Sequence, residues 1–261
     1  MHLIISFMTG KEPIRDHSPT RENGKNGQKR PLYRMFYEVP PHYDRMNRML
    51  TLRLDERWRR KAVLECLKYR PERILDLCTG TGDLAVRIAR MTAAHTEIDA
   101  LDFSETMLEE ARKKAAAWSL GSRIRFVLSD VAALPYPDDH FDSMIIGFAF
   151  RNLTYHNPKQ DQYLREIWRV IKPGGICVIV ETSQPSSPLL KALFHFYLKV
   201  IVAGIGAMMS GHPAAYRYLG HSAKNYYNPD EVKALLQKTG FKHMDHNKLS
   251  GGVTAIYVAV K

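Results

Sequence analysis

From residue 72 onward, short apolar runs alternate with stretches whose apolar residues recur at helical spacing. RILDL (73–77), EIDALDF (97–103), RIRFVLSD (123–130), FDSMIIGF (141–148) and ICVIVE (176–181) have the length and near-continuous apolar character of strands buried on both faces. Between them, Asp83–Met91, Ser104–Trp118 and Pro158–Ile171 predict helices, the last closed by a Lys-Pro-Gly-Gly stop. Such alternation predicts a doubly wound, mostly parallel α/β sheet. The tail breaks the pattern. FKHMDHNKLS (241–250) and VTAIYVAVK (253–261) flank Gly251-Gly252, which predicts a closing antiparallel hairpin and brings the sheet to seven strands.

Ahead of the sheet, residues 42–69 read as one helix. Met46, Met49, Leu50, Leu54, Trp58, Ala62 and Leu67 form its apolar face, and Arg45, Arg48, Arg53, Arg57, Arg59, Arg60 and Lys61 fill much of the other. Residues 188–209 are mostly apolar, about the length of a membrane span. However, Lys191, His195 and Lys199 interrupt them at a spacing of four, so a helical lid within an insertion over about 186–228 is expected instead. The first residues, HLIISFM, are too short an apolar run for a secretion signal. Residues 1–31 read as a disordered lead-in and 32–261 as one domain.

Composition adds one unusual number, a formal net charge of +11 over 261 residues. Residues 1–61 carry 14 Lys/Arg and 7 Asp/Glu, so most of the excess sits in the first quarter of the chain. An anionic partner is implied: a phosphate-rich ligand, a nucleic acid or an acidic membrane. No long basic tract with interleaved aromatics is present, which disfavours nucleic acid. The three cysteines, Cys66, Cys78 and Cys177, have neither metal nor disulfide spacing, which suits a reducing cytoplasm.

The candidate chemistry lies at the strand ends. The first strand runs straight into Asp76-Leu77-Cys78-Thr79-Gly80-Thr81-Gly82-Asp83. Gly80 and Gly82 allow a tight strand-to-helix turn whose backbone can approach a ligand closely. Asp102, 20 residues after Gly82, ends the second strand where a carboxylate can accept hydrogen bonds from both hydroxyls of a ribose. Asp130 ends the third. A dinucleotide oxidoreductase and an S-adenosylmethionine-dependent methyltransferase both meet these constraints. Asp76 and Asp83 beside the loop favour a cationic sulfonium ligand over a pyrophosphate.

Ordered motifs narrow the choice. Tyr43-Asp44-x-x-Asn47, Trp58-Arg59, Leu75-Asp76-x-x-x-Gly80-Thr81-Gly82-Asp83-Leu84, Asp102-x-Ser104-x-x-Met107-Leu108, Leu134-Pro135-Tyr136-Pro137, Gly147-Phe148-x-x-Arg151-Asn152, Lys172-Pro173-Gly174-Gly175 and Tyr216-x-Tyr218-Leu219 follow one another along residues 33–261. In these the chain resembles the UbiE/MenG quinol C-methyltransferases, a family of Rossmann-like class I methyltransferases. That resemblance implies S-adenosylmethionine as cofactor and a polyprenylated quinol as substrate, demethylmenaquinol being the first choice. Another small hydrophobic acceptor is the alternative, with a basic RNA methyltransferase behind it. The resemblance further implies that Thr81 contacts the methionine part of the cofactor, Asp102 its ribose, and Asp130 with Val131 its adenine. Gly147, often a serine in the family, would contribute backbone only. Tyr43 would cover the cofactor.

Arg151 and Asn152 are the catalytic candidates. A quinol ring carbon becomes nucleophilic when a phenol loses its proton, so the site needs a group that stabilises phenolate. A guanidinium remains charged, so Arg151 suits an electrostatic clamp better than a base, and Asn152 would orient the same hydroxyl or a water. The competing structural reading pairs Arg151 with Asp142 or Asp161 in a turn. His195, His221 and Tyr216 are candidate bases. Transient contact with an anionic membrane, a cytoplasmic location at its inner face and no nucleic-acid partner complete the expectation, with homo-oligomerisation left open.

Overall fold

A computed structural model describes residues 43–206 and 213–261. The expected lead-in over 1–31 and the last residues of the 188–209 segment lie outside the described residues. Seven strands form one sheet in the order β3-β2-β1-β4-β5-β7-β6. These are β1 (Arg73–Leu77), β2 (Glu97–Asp102), β3 (Arg125–Leu128), β4 (Phe141–Gly147), β5 (Ile171–Thr182), β6 (His243–Leu249) and β7 (Thr254–Val260). The first five pair in parallel; β7 joins β5, and β6 joins β7, antiparallel. β1 sits between β2 and β4, so the chain leaves it toward one edge and returns on the other side. A crevice opens at such a switch point, beyond the carboxyl ends of the strands.

Both faces of the sheet are covered, which explains the near-continuous apolar runs. Leu75, Leu77, Met144, Ile146, Cys177 and Ile179 pack on one face against Phe150, Tyr163, Leu164 and Ile167. Ile74, Ile98, Ile145, Val178 and Val180 pack on the other against Trp58, Val63, Leu84 and Ile88. The first six helices are α1 (Tyr43–Leu50), α2 (Leu54–Cys66), α3 (Asp83–Met91), α4 (Glu105–Ala117), α5 (Phe150–Thr154) and α6 (Gln160–Val170), and these partners come from α2, α3, α5 and α6. After β5 come α7 (Pro188–Tyr197), a π-helix (Leu198–Gly206), α8 (Pro213–Lys224) and α9 (Pro229–Thr239).

Four expectations change. The helix over 42–69 is broken between α1 and α2, where Leu52 and Arg53 take left-handed φ of 50° and 61°. The Thr51 hydroxyl, shared among the Asn47 carbonyl, the Arg48 carbonyl and the Asp55 carboxylate, holds the break. The third strand shortens to Arg125–Leu128 because Asp130 caps a following turn, its Oδ1 accepting the Ala132 N–H at 2.9 Å. Lys-Pro-Gly-Gly does not stop a helix. It lies inside β5, where Gly174 at φ 77° makes a kink and the pairing with β4 slips between Phe141–Ile171 and Ser143–Ile176. The lid does not continue as an α-helix beyond Tyr197, since the next nine residues wind as a π-helix, a rare form often found at functional sites.

Candidate active site

The crevice holds one cavity of about 500 Å³, within the range usual for small-molecule sites. The glycine loop forms its floor. Cys78, Gly80 and Gly82 all adopt left-handed φ, at 58°, 55° and 79°. A side chain on Gly80 would meet nothing within 4 Å, so its backbone faces open space. Gly82 behaves otherwise and does not line the cavity: a Cβ there would stand 2.9 Å from the Ala111 Cβ and 3.3 Å from its Cα. It has a packing role, letting the start of α3 approach α4. Gly147, at the end of β4, does line the cavity. Any Cβ on it would press within 2.6 Å of the Leu84 Cδ1.

Asp76 is fully buried behind the loop. One oxygen accepts the Thr79 hydroxyl at 2.5 Å and the Ala85 N–H at 2.9 Å. Burial pushes its carboxyl up to about 7, against the pull of those two bonds. It scaffolds the turn rather than offering charge to a ligand, which corrects the expectation placed on it. Asp83 does line the cavity, but Lys114 at 2.5 Å, Arg48 at 3.5 Å and Arg59 at 3.9 Å answer its charge. Although burial works to raise it, the Arg59, Lys114 and Arg48 cations hold the Asp83 carboxyl below the usual range. The surroundings of the loop are thus mixed in charge, which suits a zwitterionic ligand end better than a purely cationic one.

Asp102 closes β2 over the same cavity. Its two oxygens accept the Gly80 N–H at 2.9 Å and the Ser104 N–H at 3.0 Å. The Phe103 N–H is a third backbone donor to this carboxylate, and since a carboxylate offers about four acceptor sites it retains capacity for a further donor such as a ribose hydroxyl. Burial raises its carboxyl, and the backbone donors oppose that rise. Asp130 is exposed at the rim and Val131 is buried beside it, so a planar ring there would meet an acceptor and an apolar surface. The Thr81 hydroxyl points to Asp44 at 2.7 Å, and Lys114 reaches Asp44 at 2.6 Å, which ties α1 over the loop. Tyr43 begins α1, and its side chain lies outside the described residues.

Arg151 and Asn152 enter the cavity from α5, after a turn at Phe148 with φ 57°. The structural pairing with Asp142 or Asp161 is not what holds Arg151. Asp142 instead binds Lys172 at 2.5 Å and the Glu72 and Arg73 N–H groups. Arg151 answers to Glu181, whose carboxylate is wholly buried at the end of β5. Glu181 accepts the Arg151 N–H at 3.0 Å and lies 3.9 Å from its guanidinium. Among the described residues, the Arg151 Nε and the Asn152 Oδ1 are buried polar atoms with no protein partner, and both residues line the cavity. Unpaired donors and acceptors so placed are ready for a ligand.

Of the candidate bases, Tyr216 is buried and lines the cavity. His195 does not line it. That ring meets the Gln184 side chain at 3.0 Å, which ties α7 to the end of β5, and burial with Lys224 and Lys191 nearby lowers its pKa. His221 is exposed and sits beside Asn225. Glu181, Lys114 and Asp44 were not singled out as site residues by sequence. Glu181 had the same signal as Asp102, an acid ending a buried strand. Lys114 and Asp44 are 70 residues apart and carried no such mark.

The profile of the ubiE/COQ5 methyltransferase family matches residues 23–261. The chain belongs to this family. As a ubiE/COQ5-type methyltransferase it is 39% identical, over 88% of its own length and 96% of the relative's, to the ubiquinone/menaquinone biosynthesis C-methyltransferase UbiE of Geotalea daltonii. It is also 39% identical to the demethylmenaquinone methyltransferase of Deinococcus radiodurans, over 87% and 91% of the two chains. The fold is that of S-adenosylmethionine-dependent methyltransferases. The apo structure of SibL superposes with a TM-score of 0.63 at 20% identity, covering 88% of this chain and 62% of that one. The PH0226 protein of Pyrococcus horikoshii gives 0.59 at 20% identity, covering 86% and 97%.

Proposed function

We propose that this methyltransferase moves a methyl group from S-adenosylmethionine to a ring carbon of a polyprenylated quinol, with demethylmenaquinol as the acceptor. One observation carries the reading. A single cavity joins the glycine loop and Asp102 to the unpartnered Arg151 Nε and Asn152 Oδ1, and continues between Leu50, Leu54, Phe194, Leu198, Val202 and Leu219. Polar groups suited to a nucleoside, a clamp for a phenolate and an apolar channel for a prenyl tail therefore share one space. The names borne by the relatives from Geotalea and Deinococcus support the same acceptor class.

The cofactor fits the residues present. Gly80 leaves open space, Asp102 retains acceptor capacity, and Asp130 with Val131 offers an edge for adenine. When bound, the cofactor supplies an electrophilic methyl group on a sulfonium. Arg151 stabilises the negative charge left when the quinol hydroxyl gives its proton to a water, the proton of the methylated ring carbon leaves to water likewise, and Glu181 keeps the guanidinium from swinging away. Asn152 fixes the orientation of that hydroxyl or of a water. The walls from α1, α7 and the π-helix limit water, which a methyl transfer requires. The protein meets this lipid acceptor as a peripheral protein at the cytoplasmic face of the membrane. No described helix is long and apolar enough to cross a membrane.

Incubation of the purified protein with S-adenosylmethionine and a reduced demethylmenaquinol tests the reading. A product methylated on ring carbon, and none from the oxidised quinone, is the expected result. Methylation of RNA, or of a quinol oxygen, contradicts it.

A further inference from the structure

Helix α7 and the start of the π-helix are apolar on two sides. Phe194, Tyr197, Leu198 and Val202 face the cavity. Leu189, Leu193, Phe196 and Val200, spaced by four, three and four residues, fall on another face of the helix and stand in solvent at 73%, 57%, 64% and 39% exposure. A helix that fills a core uses one stripe; a second, solvent-facing stripe of large side chains marks a contact surface. The Tyr197 hydroxyl binds the Leu50 carbonyl, so the turn that follows α1 runs alongside. That turn adds Leu52, which is 82% exposed and also lines the cavity.

Charge identifies what covers the stripe. Between Glu181 and Asp230 the sequence contains no Asp or Glu, but four cations, Lys191, Lys199, Arg217 and Lys224. All four are exposed. A second copy of the chain, meeting this face with its own, would bring like charges together. An acidic lipid surface would accept the apolar stripe and be drawn by the exposed cations of the same segment, with Lys199 flanking the stripe and Lys191 on the side of α7 that carries His195.

We infer that the exposed face of α7, with Leu189, Leu193, Phe196 and Val200 as its apolar wedge, is where the protein docks on an anionic lipid bilayer. Docking there sets the cavity wall formed by the other side of the same helix next to the lipid phase. A prenylated acceptor then enters past Leu52 without crossing water. The inference deepens the quinol reading and rests on it for what passes through the interface. The contact itself is measurable without substrate or cofactor, so the two can fail separately.

The test is flotation of the full chain with vesicles of phosphatidylcholine containing 30% phosphatidylglycerol, against pure phosphatidylcholine. The parent should bind the anionic vesicles and be released by salt. Leu193→Glu/Phe196→Glu should lower the partition coefficient by about tenfold or more. That variant should keep the parent's circular dichroism and its turnover on a tail-less, water-soluble quinol. A second variant, Lys191→Glu/Lys199→Glu, should lose anionic binding alone, with its fold intact. Equal binding of the parent and the Leu193→Glu/Phe196→Glu variant overturns the inference, because another segment would then be the anchor. Conversion of a parent dimer into a monomer by that variant, with vesicle binding unchanged, also overturns it.

Discussion

Asp76 holds a buried carboxyl whose protonation is coupled to folding. Burial raises it to about 7 in the folded protein, whereas an unfolded aspartate titrates near ~4. The folded state binds this proton more tightly than the unfolded state. Its contribution to stability is therefore fully present below the unfolded value and is lost as pH rises through about 7. Asp76→Asn keeps an acceptor for Thr79 and Ala85 and removes the titration. Urea midpoints of parent and variant should draw apart between pH 4 and 8, the variant gaining on the parent as pH rises; parallel curves would show that Asp76 does not titrate in this range. The lining residues divide by role. Asp102→Ala should weaken binding of S-adenosylhomocysteine by about tenfold or more, as two bonds to a charged acceptor vanish. Arg151→Ala should leave that affinity within about twofold and lower kcat by about a hundredfold. Calorimetry and steady-state rates check both, and loss of cofactor binding in the Arg151 variant would reject the clamp. At this scale the sequence marked acids that end strands, and Asp102 and Asp130 do rim the cavity. It did not mark compensation between distant residues. Asp83 reads as a bare charge until Lys114, Arg48 and Arg59 are seen around it.

Elements were legible where periodicity was strong. β1, β2 and β4 coincide closely with their mostly apolar runs, because burial on both faces favours apolar residues at nearly every position. Boundaries set by backbone conformation were not legible. Leu52 and Arg53 look like ordinary helix residues, yet both are left-handed and split α1 from α2. Lys172-Pro173-Gly174-Gly175 reads as a stop, yet the chain continues through it as a kinked strand. Gly82 joins two elements. Its φ of 79° and the 2.9 Å approach to Ala111 mean that Gly82→Ala strains the turn and pushes α3 from α4. A loss of about 1–3 kcal/mol by urea unfolding is expected. Adding Ala111→Gly should restore the part due to crowding and leave the part due to φ. Measured against Ala111→Gly alone, whose helix cost is about 1 kcal/mol, a Gly82→Ala loss as large as in the parent would show that crowding contributes nothing.

At the scale of the whole molecule, the +11 charge and the cavity speak of different partners. The mixed charges around the glycine loop belong to the small-molecule site. The exposed cations of the acid-free stretch, Lys191, Lys199, Arg217 and Lys224, belong to the outer surface, and so does its exposed apolar stripe. The doubly wound fold was legible from alternation alone. The lid was legible only as an apolar stretch broken by charge, since nothing in its sequence distinguishes an α-helix from the π-helix that follows Tyr197. The central claim is methylation of a prenylated quinol in the cavity between these parts. Its most direct test is mass analysis of the quinones in cells lacking the protein, complemented with the parent chain or with Arg151→Ala. The account predicts accumulation of a quinone one methyl group lighter, reversed by the parent and not by the variant. An unchanged quinone profile in the deleted cells would contradict it.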